Sequence, residues 1–161
     1  MVHMVNKKLE LLKQVLLKAL EMLGMLRLKQ EEQPIPLPIL PIYLWDTPKN
    51  ARHSVRVICD EMGLTLYEKN VITACIQQES NFKNSAVGRN IKDGKVVSTD
   101  WGICQINDYY HVGPGKRWSS VEQIVNNPEK AVRWMITLSK QGKLKLWVSF
   151  SSGAYKKYMP S

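Results

Sequence analysis

Two stretches decide the reading: ITACIQQESNF (residues 72–82) and STDWGICQIN (residues 98–107). In the first, Ile72, Cys75, Ile76 and Glu79 recur at i, i+3, i+4 and i+7. That helical spacing puts Glu79 at the end of an apolar stripe. A carboxyl group drawn out of water resists ionisation, and general-acid chemistry needs an acid that keeps its proton near neutral pH. Position alone also supports a blander reading, a helix-end carboxylate bonded to backbone or solvent. The second stretch supplies another carboxyl, Asp100, beside Ser98 and Thr99, whose hydroxyls can hydrogen-bond a carboxylate. Between the two lies Asp93-Gly94, flanked by Ile91 and by Val96 and Val97, which is a hairpin signal. A hairpin folding back over a helix end can bring two carboxyls together. Glycoside cleavage commonly asks for such a pair: one protonated to help the leaving oxygen depart, one ionised to face the developing cation.

Outward from this segment the pattern is mostly helical. Thr47-Pro48 supplies a cap and a proline at the first helical position, so a helix is expected to run to about residue 62 and stop at Gly63. A second is expected over about 66–79. After the hairpin, a short helix is expected over 102–107 and a loop at Gly113-Pro114-Gly115. Asn127-Pro128 opens a helix through about residue 140, ended by Gly142, and a last short helix is expected over 144–150. No internal repeat is visible.

The chain begins differently. Residues 5–30 read as one amphipathic helix, with Lys7, Glu10, Gln14, Lys18 and Glu21 at 3.6-type spacing. The remaining arc holds Leu9, Leu12, Leu16, Leu20 and Leu23, with Leu11, Val15 and Met22 beside them. A helix this apolar must be covered by something: its own domain, another helix, a membrane surface or a docking partner. Its charges, Glu10, Lys13, Lys18, Glu21 and Arg27, argue against a membrane span and against a cleavable export signal. The lack of a visible signal says little about compartment. Residues 33–41 (QPIPLPILP) carry four prolines and favour an extended strap, which makes them the best boundary in the chain. Residues 1–41 are therefore read as an appendage and 42–161 as one domain.

The formal charge of +9 suits a polyanionic partner, whether nucleic acid, anionic lipid or an acidic wall polymer. No basic run with interleaved aromatics stands out, so nucleic acid is not expected. Cys59, Cys75 and Cys104 show no metal-type pairing and sit in apolar neighbourhoods, as buried free thiols do, with one disulfide left open. His3, His53 and His111 are scattered, so no zinc site is expected.

ESNF (79–82), Arg89-Asn90, Asp93-Gly94 and STDWGICQIN (98–107) together resemble, in the same order, the core of animal-type (C-type) lysozymes, which carry E-S-N-F and S-T-D-Y-G-I-L-Q-I-N. They also resemble bacterial lytic transglycosylases, which share the E-S dipeptide and a G-L-M-Q-type motif. The match covers about thirty residues, and it is the ordered pair of motifs that makes it specific. The resemblance implies a mainly α, lysozyme-like α+β fold with a small β-hairpin wing. It implies cleavage of the β-1,4 MurNAc–GlcNAc backbone of peptidoglycan, by hydrolysis or by lytic transglycosylation, with no cofactor. Glu79 matches the general acid and Asp100 the second carboxylate. Ser80 matches the neighbour that orients the acid, and Gln105 and Asn107 match positions lining the cleft. Trp101 and Tyr109 flank the Gln105 motif as further cleft candidates. The late WVSFSSGAY (147–155) faintly resembles the transglycosylase A-Y-N-A-G region in two registers, which brings in Phe150 and Tyr155. Trp134 and Trp147 fall on apolar helix faces and read as core.

The departures are specific too. C-type lysozymes rest on four disulfides, whereas this chain has three cysteines, with Cys104 where that family has Leu. The loop between the carboxyls is also longer. A bacterial or phage enzyme acting at the cell wall, in the periplasm or outside the cell, fits better than an animal-type lysozyme. A non-catalytic glycan-binding or scaffold domain on the same fold stays open as an alternative. So does a docking role centred on the first helix.

Overall fold

The computed structural model describes residues 2–22 and 42–161. The strap expected over 33–41 and the 23–30 part of the first helix lie outside the described residues. Contacts divide the chain into two units, Met1–Leu40 and Pro41–Ser161. The described part of the first unit is one helix, α1 (Val2–Met22).

The second unit is mainly helical with a small three-stranded antiparallel sheet. In chain order it runs α2 (Pro48–Glu61), α3 (Leu66–Ser80), β1 (Val87–Lys92), β2 (Lys95–Trp101), β3 (Ile106–Asn107), α4 (Asp108–His111), α5 (Val121–Val125) and α6 (Pro128–Lys140). A 3₁₀ turn (Leu144–Leu146), α7 (Val148–Ser151) and a second 3₁₀ turn (Ala154–Tyr158) complete it.

The helix starts follow local chemistry. Thr47 caps α2, its hydroxyl accepting from the Asn50 N–H at 3.2 Å, with Pro48 at the first turn. Thr65 and Glu68 form a reciprocal capping box at the start of α3: the Glu68 carboxylate accepts from the Thr65 N–H at 2.8 Å. α3 is the central helix. The stripe of Ile72, Cys75 and Ile76 is fully buried, and Val71, Thr73 and Ala74 are buried too, so the helix is covered on nearly every side. α2 and the second 3₁₀ turn pack on it, and α6 packs on α2. Ala51, Val55 and Ile58 of α2 and Val132, Met135 and Ile136 of α6 complete the apolar interior.

β1 and β2 form the expected hairpin. Asp93 (φ 49°) and Gly94 (φ 75°) make its two-residue turn between Lys92 and Lys95, the left-handed pair of a type I′ turn. The pairing then slips: Asn90 faces Ser98 while Ile91 faces Val96, so Val97 is an extra residue in β2.

The helix expected over 102–107 does not form. Gly102 (φ 74°) and Gln105 (φ 47°) both adopt left-handed backbone, which a helix cannot include. Residues 102–105 form a turn, and Ile106 and Asn107 form β3 by pairing with Trp101 and Asp100. The last helix expected over 144–150 is split at Trp147, whose backbone is extended (φ −88°, ψ 126°) between the 3₁₀ turn and α7.

Candidate active site

The end of α3 is fixed within four residues. Asn81 (φ 51°) and Phe82 (φ 60°) both take left-handed backbone, which stops the helix just after Glu79. Asn tolerates that conformation, and Phe at such a φ is strained by about 1–3 kcal/mol. Phe82 offsets the strain by burying its ring, which is 4% exposed. Ser80 is buried, and its hydroxyl donates to the Ile103 carbonyl at 2.7 Å. That bond ties the helix end to the 102–105 turn. Glu79 is left half-buried, and its Oε1 accepts from the Ser149 N–H of α7 at 3.2 Å. Its second oxygen has no protein donor among the described residues.

The 102–105 turn is braced from inside. Gln105 donates both amide hydrogens, to the Ala86 carbonyl (3.1 Å) and the Gly102 carbonyl (2.9 Å). Its Oε1 lies 2.8 Å from where a Cβ on Gly88 would stand, so a side chain there would push Gln105 out of its present position. The Cys104 carbonyl accepts from the Trp147 indole N–H at 2.7 Å, which fastens the segment before α7 to the same turn. Through these contacts the turn locates both Glu79 and its Ser149 donor.

Asp100 is held differently, by a ladder of side chains on one face of the sheet. Asn107 of β3 donates one amide hydrogen to Asp100 Oδ1 (2.7 Å) and the other to Ser98 Oγ (3.0 Å). Asn90 of β1 repeats the arrangement from the other side, to Asp100 Oδ2 (3.0 Å) and Ser98 Oγ (3.1 Å). Each carboxylate oxygen therefore has one carboxamide donor, which fixes the plane of the carboxylate. Asp108 secures the strand beneath, accepting from the Thr99 N–H (2.9 Å) and the Trp101 indole (3.3 Å).

Glu79 and Asp100 line one cavity of about 730 Å³. This volume falls within the range of small-ligand sites. Asn90, Ser98, Gln105 and Asn107 line the sheet side, and Trp134, Trp147 and Val148 the helical side. His111 and Tyr110 lie at its edge on α4. His111 stands edge-on to Trp134 (4.9 Å between ring centres), which in turn meets Trp147 at 5.9 Å. Burial, and then the Lys116 ammonium, push the His111 imidazole below its usual 6.5. A second hollow, of about 650 Å³, runs along α6 past Trp45 and Lys130. Its one carboxylate, Glu129, is bonded to Arg133 at 2.8 Å, so it offers no comparable pair.

Of the residues singled out in the sequence, Glu79, Asp100, Gln105 and Asn107 meet in this cavity. Ser80, Trp101, Tyr109, Phe150 and Tyr155 are not in its lining. Ser80 faces the interior, and the Trp101 indole is engaged with Asp108. Tyr109 is exposed, and its neighbour Tyr110 takes the place at the rim. Tyr155 is buried against α3, with Phe150 stacked on it at 5.2 Å. Trp134 and Trp147 read as core from their apolar neighbours. Trp147 is indeed only 7% exposed, yet both indoles also form the cavity wall. His111 and Asn90 were not singled out as site residues, and no periodicity marks them. The signal that could have found Asn90 is its place on the same sheet face as Ser98.

Cys59, Cys75 and Cys104 are buried free thiols. Burial pushes Cys75 up to about 12, and the Glu79 carboxylate adds to the push. Cys104 is raised by burial and then by Glu79. Both thiols therefore stay protonated and unreactive behind Glu79 at neutral pH. No protein-family model matches this chain, and comparison with the curated proteins finds no relative.

Proposed function

We propose that this domain cleaves the glycan strands of peptidoglycan at β-1,4 MurNAc–GlcNAc bonds, with Glu79 as general acid. The observation that carries the reading is the convergence of Glu79 and Asp100 on one cavity, from a helix end and from a sheet, in unlike surroundings. Glu79 is half-buried at the helix end and has one oxygen unengaged by the protein, the geometry a proton donor needs. It gives its proton to the glycosidic oxygen as the C1–O bond breaks. Asp100, held by Asn90 and Asn107, faces the oxocarbenium-like centre. Two completions follow. In hydrolysis, water adds at C1 and the product is a reducing sugar. In lytic transglycosylation, the C6 hydroxyl of the same sugar adds at C1 and passes its proton back to Glu79. The indoles of Trp134 and Trp147 and the carboxamide of Asn107 are suited to packing on and hydrogen-bonding a sugar ring. The net charge of +9 favours an acidic wall polymer, and the site of action would be the cell wall.

The test is digestion of purified peptidoglycan by wild type and Glu79→Gln in parallel, with products read by mass spectrometry. Reducing muropeptides would mark hydrolysis, and products lighter by one water, without a reducing end, transglycosylation. Loss of the acid should slow turnover about 10²–10⁴-fold. Wild type that binds peptidoglycan but releases nothing would replace this reading with a glycan-binding domain.

A further inference from the structure

The function proposed for the cavity makes no use of α1. Along this helix Leu9, Leu11, Leu12, Val15, Leu16 and Met22 are all exposed by half or more, Leu12 at 66% and Met22 at 83%. At 3.6 residues per turn they share one broad arc, about half the circumference. The charges are ordered around it. Lys7 and Lys18, three turns apart, lie along one edge of the arc, and Lys13 lies along the other. Glu10 and Glu21, also three turns apart, fall on the opposite side, where Leu17 is the one exposed leucine outside the arc. Lys13 meets Glu10 at 3.6 Å across an exposed surface, where such a pair contributes little. Lys8, in the first turns of the helix, falls near the middle of the arc, and its long stem can carry the ammonium toward the headgroups.

We infer that α1 docks on the surface of an anionic lipid bilayer, lying in the plane of the interface. The arrangement fits that occupant in three respects. The arc is wider than the narrow seam a helix pair buries. Lysine stems at both edges run along apolar surface while their heads reach lipid phosphates. In a paired helix the same edges would set lysine against lysine, whereas a helical dimer matches opposite charges there. No described helix is long and apolar enough to cross a membrane. The chain's charge of +9 adds to the attraction. This inference does not depend on the chemistry of the cavity.

Vesicle flotation of the full chain tests it, using equal parts phosphatidylglycerol and phosphatidylcholine against phosphatidylcholine alone. Sedimentation equilibrium in parallel reads the oligomeric state. The chain is expected to float with anionic vesicles, bind neutral ones far more weakly, and be released by salt. Leu12→Glu with Leu16→Glu should abolish flotation while near-UV circular dichroism of the domain stays unchanged. The triple variant Lys7→Gln, Lys13→Gln, Lys18→Gln should weaken binding on the order of 10²-fold, about fivefold for each lysine. Three results would overturn the inference. A chain that ignores both vesicles and self-associates would make α1 a dimer interface instead. Flotation unchanged by the leucine substitutions would assign the binding to the basic surface of the domain. Equal affinity for neutral and anionic vesicles would remove the role given to the lysines.

Discussion

The two carboxyls of the cavity are held by opposite means. Glu79 is fixed by backbone: a helix stopped by two left-handed residues, and a single N–H from α7. Asp100 is fixed by side chains: two carboxamides reaching from the neighbouring strands. The helical side rests on the course of the backbone, through the turn that Gly102 opens. The sheet side can be altered one side chain at a time. Stability should therefore respond most to the 102–105 turn that carries the backbone, and adjustment of the reaction to the sheet side.

Gly102 tests this most severely, because the turn it opens supports both sides. It sits at φ 74°, and an added Cβ would lie 3.2 Å from Ile124 Cγ2 and 3.6 Å from Asn84 Oδ1. Gly102→Ala should cost about 3 kcal/mol, strain and overpacking together, and lower the melting temperature by about 10 °C. Thermal unfolding followed by circular dichroism measures it. A fall of only a degree or two would mean that the turn gives way easily and is no keystone.

Asn107→Leu acts on the sheet side alone. It leaves Asp100 Oδ1 without its donor and removes the acceptor that caps the Tyr110 N–H. The expected stability cost is about 1–2 kcal/mol. On the proposed function, turnover should fall about tenfold or more while Glu79→Gln remains the more damaging change. Equal turnover in Asn107→Leu and wild type would show that the ladder holds the sheet together and does nothing for the reaction.

Ser80→Ala sharpens the other half. The Ile103 carbonyl is buried and accepts from Ser80. Losing the hydroxyl should cost about 1 kcal/mol in urea unfolding, with turnover per folded molecule nearly unchanged. Ser80 in this view fastens the helix end and does not touch the substrate. A large loss of turnover at full stability would instead make Ser80 part of the chemistry.

What could be read from the sequence divides along the same line. α2, α3, α6 and the hairpin announce themselves through caps, apolar periodicity and Asp93-Gly94, which are local signals. Asp100 and Glu79 could be paired on paper because two motifs stood in a known order. The ladder could not be read, because it depends on the extra residue at Val97 and on 106–107 being a strand. The expected helix over 102–107 hid the strand. Two left-handed residues, one of them the non-glycine Gln105, gave no sequence warning. Trp147 reaches the cavity from a distant part of the chain, and His111 from the short helix just after β3. Trp147 also does two jobs, core and wall, and apolar neighbours reveal only the first. Phe150 and Tyr155 were drawn in by a faint motif, and the break at Trp147 turns them toward α3 instead.

The smallest effect expected is on pH dependence, and it concerns the rim between the two sides. The folded His111 takes up its proton at lower pH than an unfolded one, because burial and Lys116 disfavour the charged form. Between the two values the unfolded chain binds more protons, so stability falls as pH falls. The contribution of neutral His111 is whole above about 6.5 and is lost as the pH drops through the folded value. Melting temperatures at about pH 7.5 and about pH 5.5 should therefore differ more in wild type than in His111→Gln, which has nothing to titrate there. An unchanged difference in the variant would mean that His111 is already as free to take a proton as it is in the unfolded chain. The edge-on contact with Trp134 at 4.9 Å would then be packing alone, and the rim would belong to neither side of the comparison.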